Sequence, residues 1–130
     1  MRTMSADLHI HTTASDGTFS PSQVVQLAQQ KSLKGIAITD HDTTDGIAEA
    51  LKEGKRLNLK VVPGIEISTH LNQEEIHILG YFIDYQADFL QNQLHHLRRE
   101  RILRNKKIIK KLNQLGYELE WEEVLTLAGQ

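Results

Sequence analysis

The sequence of 130 residues contains no cysteine, which excludes disulfide frameworks, thiol nucleophiles and thiolate metal sites together. Any metal bound here must be held by nitrogen and oxygen. No apolar run approaches the roughly 18 residues of a membrane span, and the amino terminus lacks a basic segment followed by an apolar stretch. These absences exclude a membrane partner by span and make the cytoplasm the expected compartment. Charge of one sign is also lacking: the net charge is -2 and the pI about 6.4, so any nucleic-acid partner would need a local basic patch. Hydrophobic residues make up 39%, enough for a packed core and too many for a disordered chain. The length fits one domain, and neither an internal repeat nor a low-complexity tract is present. Against two prolines and one tryptophan stand seven histidines, and neutral imidazole is the commonest metal ligand.

Alternation from Ala6 to Thr12 predicts a strand with Leu8 and Ile10 on one face and Asp7, His9 and His11 on the other. Ser20 to Gln23 reads as a capping box with Pro21 at the first helical position, opening a helix that ends before Gly35. The apolar run Ile36 to Thr39 predicts a strand covered on both faces, delivering Asp40, His41 and Asp42 to its carboxyl end. A second helix is expected from about Thr44 to Leu57, then a strand through Val61, Val62, Ile65 and Ile67 in which Pro63 suggests a break or bulge. A fourth strand from about Glu75 to Ile83 carries His77. Strand, helix, strand, helix, strand points to a parallel α/β fold, whose ligands lie at the carboxyl ends of its strands. From Gln86 to Leu115 there is neither proline nor glycine, which predicts one long helix or two joined by a kink, stopped at Gly116. Trp121 to Ala128 reads as a last short helix.

His9 and His11, two apart on a strand, lie roughly 7 Å apart on one face and both reach a single ion. Asp16 is either a turn aspartate before Gly17 or a further ligand. The aspartates around His41 need hydrogen bonds or a cation if buried, and for Asp42 a helix-capping role is preferred. Glu66 in an apolar strand needs a partner, for which a metal suffices. His77 alone would read as a core histidine, but it follows five other candidates at successive strand ends. His70, assigned to a polar loop, and the pair His95 and His96 lack that context and read as surface residues. Six nitrogen and oxygen ligands, namely His9, His11, Asp16, His41, Glu66 and His77, suit zinc, manganese or iron(II), and exceed what one open site needs. The chemistry implied is hydrolysis by a metal-activated water, with these six as the catalytic set and no serine or cysteine nucleophile required.

DLHIHTTASDG (7–17), TDHD (39–42), PGIEIS (63–68) and EIHILGY (75–81) together resemble the successive motifs of the polymerase and histidinol phosphatase (PHP) family. The resemblance implies the amino-terminal part of a distorted (β/α)7 barrel over residues 1–85, followed by a helical insertion segment over residues 86–130. It implies a trinuclear site in which His9 and His11 hold one ion, Asp16 and His41 another, and Glu66 bridges towards a third held partly by His77. The activity implied is a metal-dependent phosphoesterase with two or three divalent ions (Mn, Zn or Fe), cleaving a phosphomonoester of a nucleotide or short oligonucleotide end. The later ligand motifs of the family do not occur, so the chain reads as part of a longer enzyme that is inactive alone or self-associates through an open barrel edge. The basic stretch from Arg98 to Lys111 is either a solvated face or a source of substrate-phosphate contacts, with Arg98, Arg101 and Arg104 as candidates. The alternatives are a non-catalytic PHP module and an amidohydrolase or TatD-like metal-dependent hydrolase, against which TDHD and PGIE count.

Overall fold

The capping box at Ser20 closes in the computed structural model, which describes residues 5–72 and 74–128. Ser20 Oγ accepts the Gln23 amide at 3.3 Å, and the Gln23 side chain accepts the Ser20 amide at 2.9 Å. Helix α1 (Pro21–Gln30) therefore begins with Pro21 where a missing N–H has no consequence. It connects β1 (Ala6–Ile10) to β2 (Gly35–Ile38), and α2 (Ile47–Leu57) connects β2 to β3 (Lys60–Leu71). Both strand pairs are parallel. Val24, Val25 and Ala28 of α1 and Ile47 and Ala50 of α2 enclose Ile36 and Ile38 in one core cluster. Ile36, Ala37 and Ile38 are all fully buried, which explains a continuous apolar run in place of alternation. Burying each isoleucine stabilises the fold by roughly 1.5–3 kcal/mol.

Three expectations need correction. Leu8 and Ile10 are not buried alike, and the β1–β2 register shifts between Asp7 and Ile10. Ile10 packs against the helix-covered core, whereas Leu8 is 48% exposed. Second, Pro63 neither breaks nor bulges β3, since the register runs evenly from Gly35 opposite Lys60 to Ile38 opposite Pro63. Pro63 marks a handover, after which residues 64–71 pair antiparallel with β4 (Glu74–Tyr81). Gly64 is required there: a Cβ would lie 2.9 Å from the Gly80 carbonyl and 3.0 Å from that of Ile38. Third, α2 starts at Ile47, not Thr44, and its first cap residue Gly46 has no side chain to offer.

β4 follows β3 as a hairpin with no intervening helix, and Asn72 takes up the left-handed turn conformation (φ 49°) that asparagine tolerates. The strand order is β1-β2-β3-β4. The Tyr81 hydroxyl nevertheless donates to the Leu8 carbonyl at 2.8 Å, so the sheet curls until β4 reaches β1.

Helix α3 (Asp88–Gln114) is one unbroken helix, stopped before Gly116 at φ 94°, and α4 spans Trp121–Ala128. The chain divides into two compact units between Gln91 and Asn92, inside α3; of the proposed segments, residues 1–4, 73 and 129–130 lie outside the described residues. In the second unit Asn113 braces the turn to α4, donating to the Leu119 carbonyl at 3.0 Å and accepting its amide at 2.9 Å. The Lys106 ammonium stands 5.2 Å from the Trp121 ring centroid. No helix among the described residues is long and apolar enough to cross a membrane.

Candidate metal centre

Glu66 is 4% exposed, and its carboxylate is shared. Oε2 lies 2.8 Å from His9 Nε2, 2.9 Å from His11 Nε2 and 3.6 Å from His41 Nε2, while Oε1 lies 3.0 Å from His77 Nδ1. Each approach has a backbone cause. His9 and His11 leave the end of β1 on one side. His41 is fixed by an isolated parallel bridge to Glu66, in which the Glu66 amide donates to the Asp40 carbonyl at 3.1 Å and the Asp42 amide to the Glu66 carbonyl at 3.0 Å. The hairpin register puts Leu79 opposite Glu66 and His77 opposite Ser68, so His77 reaches Glu66 diagonally on one face.

The four rings form a row, with centroids 5.1, 4.5 and 4.8 Å apart from His9 through His11 and His41 to His77. Asp16 approaches from the loop after β1, its Oδ1 3.2 Å from His11 Nδ1 and its Oδ2 3.8 Å from His41 Nε2. A Cβ at Gly17 would collide with the His11 carbonyl, so only glycine lets the loop fold back this closely.

Burial pushes the Glu66 carboxyl up, but the His9 hydrogen bond and the charges of His41, His9 and His11 outweigh it and hold the group below its ordinary range. His77 is raised, first by its hydrogen bond to Glu75 (Nε2 to Oε1, 3.2 Å), against desolvation, then by Glu66. The cluster thus seeks positive charge. His9, His11 and Glu66, then His11, Asp16 and His41, then His41, Glu66 and His77 each offer ligand atoms within 4.8 Å of one another. The two inner rings keep a buried Nδ1 without a hydrogen bond, since Asp16 lies off hydrogen-bond geometry for His11. An all nitrogen and oxygen donor set of this kind fits divalent transition ions.

All six proposed ligands are therefore brought together. The sharing of Glu66 between two groups follows the bridging that the resemblance implied, and His11 and His41 are each shared between groups as well. His70 is exposed but sits within β3, not in a loop; His95 and His96 are exposed on α3. Arg98, Arg101 and Arg104 lie on α3 within the second unit. Asp42 does not cap a helix. It occupies a left-handed position (φ 50°) and its Oδ1 accepts the Ser68 amide at 3.0 Å. Sequence reasoning missed Glu75, although its place two residues before His77 on a strand was the available signal.

The PHP domain family matches residues 7–128. Among curated relatives, the chain is 40% identical over 125 residues to the 5'-3' exoribonuclease Rnm of Salmonella typhimurium (strain LT2), covering 95% of this chain and 43% of that one. It is 33% identical over 110 residues to the 3',5'-nucleoside bisphosphate phosphatase of Chromobacterium violaceum, covering 85% and 39%. A crystal structure of a protein from Bifidobacterium adolescentis assigned as a metal-dependent phosphoesterase superposes with a TM-score of 0.86 at 30% identity, covering 98% of this chain and 44% of that one. The chain spans less than half the length of these relatives. It belongs to the PHP domain family.

Proposed function

We propose that this chain supplies the metal centre of a phosphoesterase that hydrolyses a phosphomonoester of a nucleotide or oligonucleotide end. Two or three divalent ions (Mn, Zn or Fe) are held among His9, His11, Asp16, His41, Glu66 and His77. One observation carries the reading: a single buried carboxylate, Glu66, is shared by four imidazoles. Bound ions would supply an acidified water and positive charge for the phosphate oxygens. The chain's own part is geometric. Glu66 ties the groups together from the buried side, while Asp16 (67% exposed) and His9 (50% exposed) stand on the open side where a phosphate ester enters.

Nucleotide phosphate esters are favoured because the relatives are named for an exoribonuclease and a nucleoside bisphosphate phosphatase. Arg98, Arg101 and Arg104 are the proposed phosphate contacts, on charge density and guanidinium chemistry alone. The cytoplasm is the proposed compartment. Self-association through an open barrel edge is the proposed assembly.

The test begins with elemental mass spectrometry on the 130-residue chain, purified without chelator. It continues with the loaded protein and a 5′-phosphorylated oligoribonucleotide. Two or more metal equivalents and release of inorganic phosphate are expected. Release of nucleoside monophosphates would instead favour phosphodiester cleavage, the second reading, which the exoribonuclease similarity supports. Bound metal with neither product, in this chain and in the full-length protein alike, would favour a non-catalytic module.

A further inference from the structure

Asp40 is 1% exposed and belongs to none of the three groups of candidate ligands among the described residues. A buried carboxylate needs donors. Its Oδ1 accepts the Thr12 amide and the Ser15 hydroxyl, each at 2.7 Å, and its Oδ2 accepts the Thr12 hydroxyl at 2.8 Å. Thr12 is fully buried and passes the constraint on. Its carbonyl accepts the amides of Ser15 at 3.0 Å and Gly17 at 2.9 Å, and its hydroxyl accepts that of Ala14 at 3.1 Å. These bonds fold residues 12–17 back on themselves and place Asp16 beside His11. Asp16 is 67% exposed on its side chain, and its Oδ1 lies 3.2 Å from Ser15 Oγ, whose one hydroxyl proton goes to Asp40 at the shorter distance. The start of α2 leaves room for this arrangement: a Cβ at Gly46 would come within 3.0 Å of Thr12 Oγ1 and 3.1 Å of Asp40 Oδ2. A helix start also favours a negative charge.

We propose that Asp40 is a positioning residue whose buried carboxylate clamps residues 12–17, so that Asp16 completes the His11, Asp16 and His41 ion position. Releasing the clamp removes that position and spares those centred on Glu66. The inference rests on the metal-centre reading above.

The test uses the 130-residue chain, manganese or zinc alone, metal counts per chain and amide exchange. Asp40→Asn should lose the same single equivalent as Asp16→Asn, and the double variant should lose no more, as expected of two residues acting through one position. In the same variant the Thr12 and Gly17 amides should exchange at least about tenfold faster, since charge-assisted bonds are replaced by weaker neutral ones. Wild-type metal content in Asp40→Asn would overturn the proposal. Should that variant fail to fold, Ser15→Ala decides: several-fold weaker binding of one equivalent supports the clamp, and unchanged binding overturns it. A wild-type chain that takes up no ion defeats the metal-centre reading separately. Exchange then decides Asp40 alone, unchanged protection of Thr12 in Asp40→Asn being the overturning result.

Discussion

Ile36, Ile38, Ile47 and Val25 are at most 1% exposed in the first compact unit, whereas Ile102, Leu103 and Ile108 of the second are 44–50% exposed on α3. Burial is what makes side-chain roles readable. In the first unit the buried carboxylates of Glu66 and Asp40 have named partners, and following those partners reconstructs a site. In the second, Arg99, Arg104 and Lys107 are exposed, and exposure leaves few packing constraints from which to argue a role. Denaturation can break the comparison directly. Ile38→Ala should cost about 2–5 kcal/mol, the range for emptying a packed core position. Leu103→Ala should stay within about 0.5 kcal/mol. Urea unfolding followed by circular dichroism measures both, and equal losses would mean that exposure misjudges the second unit.

The next effect concerns the centre itself. Glu66→Gln should weaken divalent-ion binding by at least about 100-fold, because loss of an outer-shell partner alone costs about 10–100-fold and Glu66 is shared by the ligands themselves. His95→Asn, on exposed α3 surface, should leave binding unchanged. Calorimetric titration with manganese reads both. A strong effect at His95 would place ion chemistry in the second unit.

Much of the centre was legible because strand periodicity and strand ends are short-range signals. His9, His11, His41 and Glu66 could be nominated without knowing which strands pair. Pairing itself was not legible at two places. The shift between Asp7 and Ile10 is decided by the neighbouring strand, so alternation alone did not show that Leu8 stays exposed while Ile10 packs against the core. The switch of β3 from a parallel to an antiparallel partner at Pro63 and Gly64 leaves only a proline and a glycine in the sequence, which read equally well as a break. Asp42 was misjudged for a related reason, since a carboxylate before a helix usually caps it, whereas here the carboxylate accepts the amide of Ser68, 26 residues away. Asp40 was recognised as needing donors, but those donors are 25 and 28 residues away and no local pattern names them.

A smaller effect tests Glu75. A ligating histidine commonly gives its second nitrogen to a carboxylate, and His77 stands between Glu66 on Nδ1 and Glu75 on Nε2. Glu75→Gln should weaken binding about tenfold at the position that includes His77 and leave the Asp16 position untouched. Equal losses at both positions, seen by titration against Asp16→Asn, would assign Glu75 a general electrostatic role.

The smallest effect separates two kinds of carboxylate within the first unit. Glu53 on α2 receives Arg56 Nε at 2.8 Å, Arg56 Nη2 at 2.6 Å and Gln26 Nε2 at 2.8 Å. The Arg56 hydrogen bonds, then that of Gln26, lower its pKa to about 2. Because the folded value lies below the ordinary carboxylate range of about 4.3, the pair's contribution is complete above that range. It is lost as pH falls through about 2. Carboxyl carbon resonances should place the Glu53 midpoint near that value, and Arg56→Ala should return it towards the ordinary range with marginal change in stability, as for exposed pairs generally. A midpoint near 4 in the unaltered chain would remove the pair. Glu66 differs in kind: it is held by four imidazoles that are themselves candidate metal ligands, and not by a guanidinium.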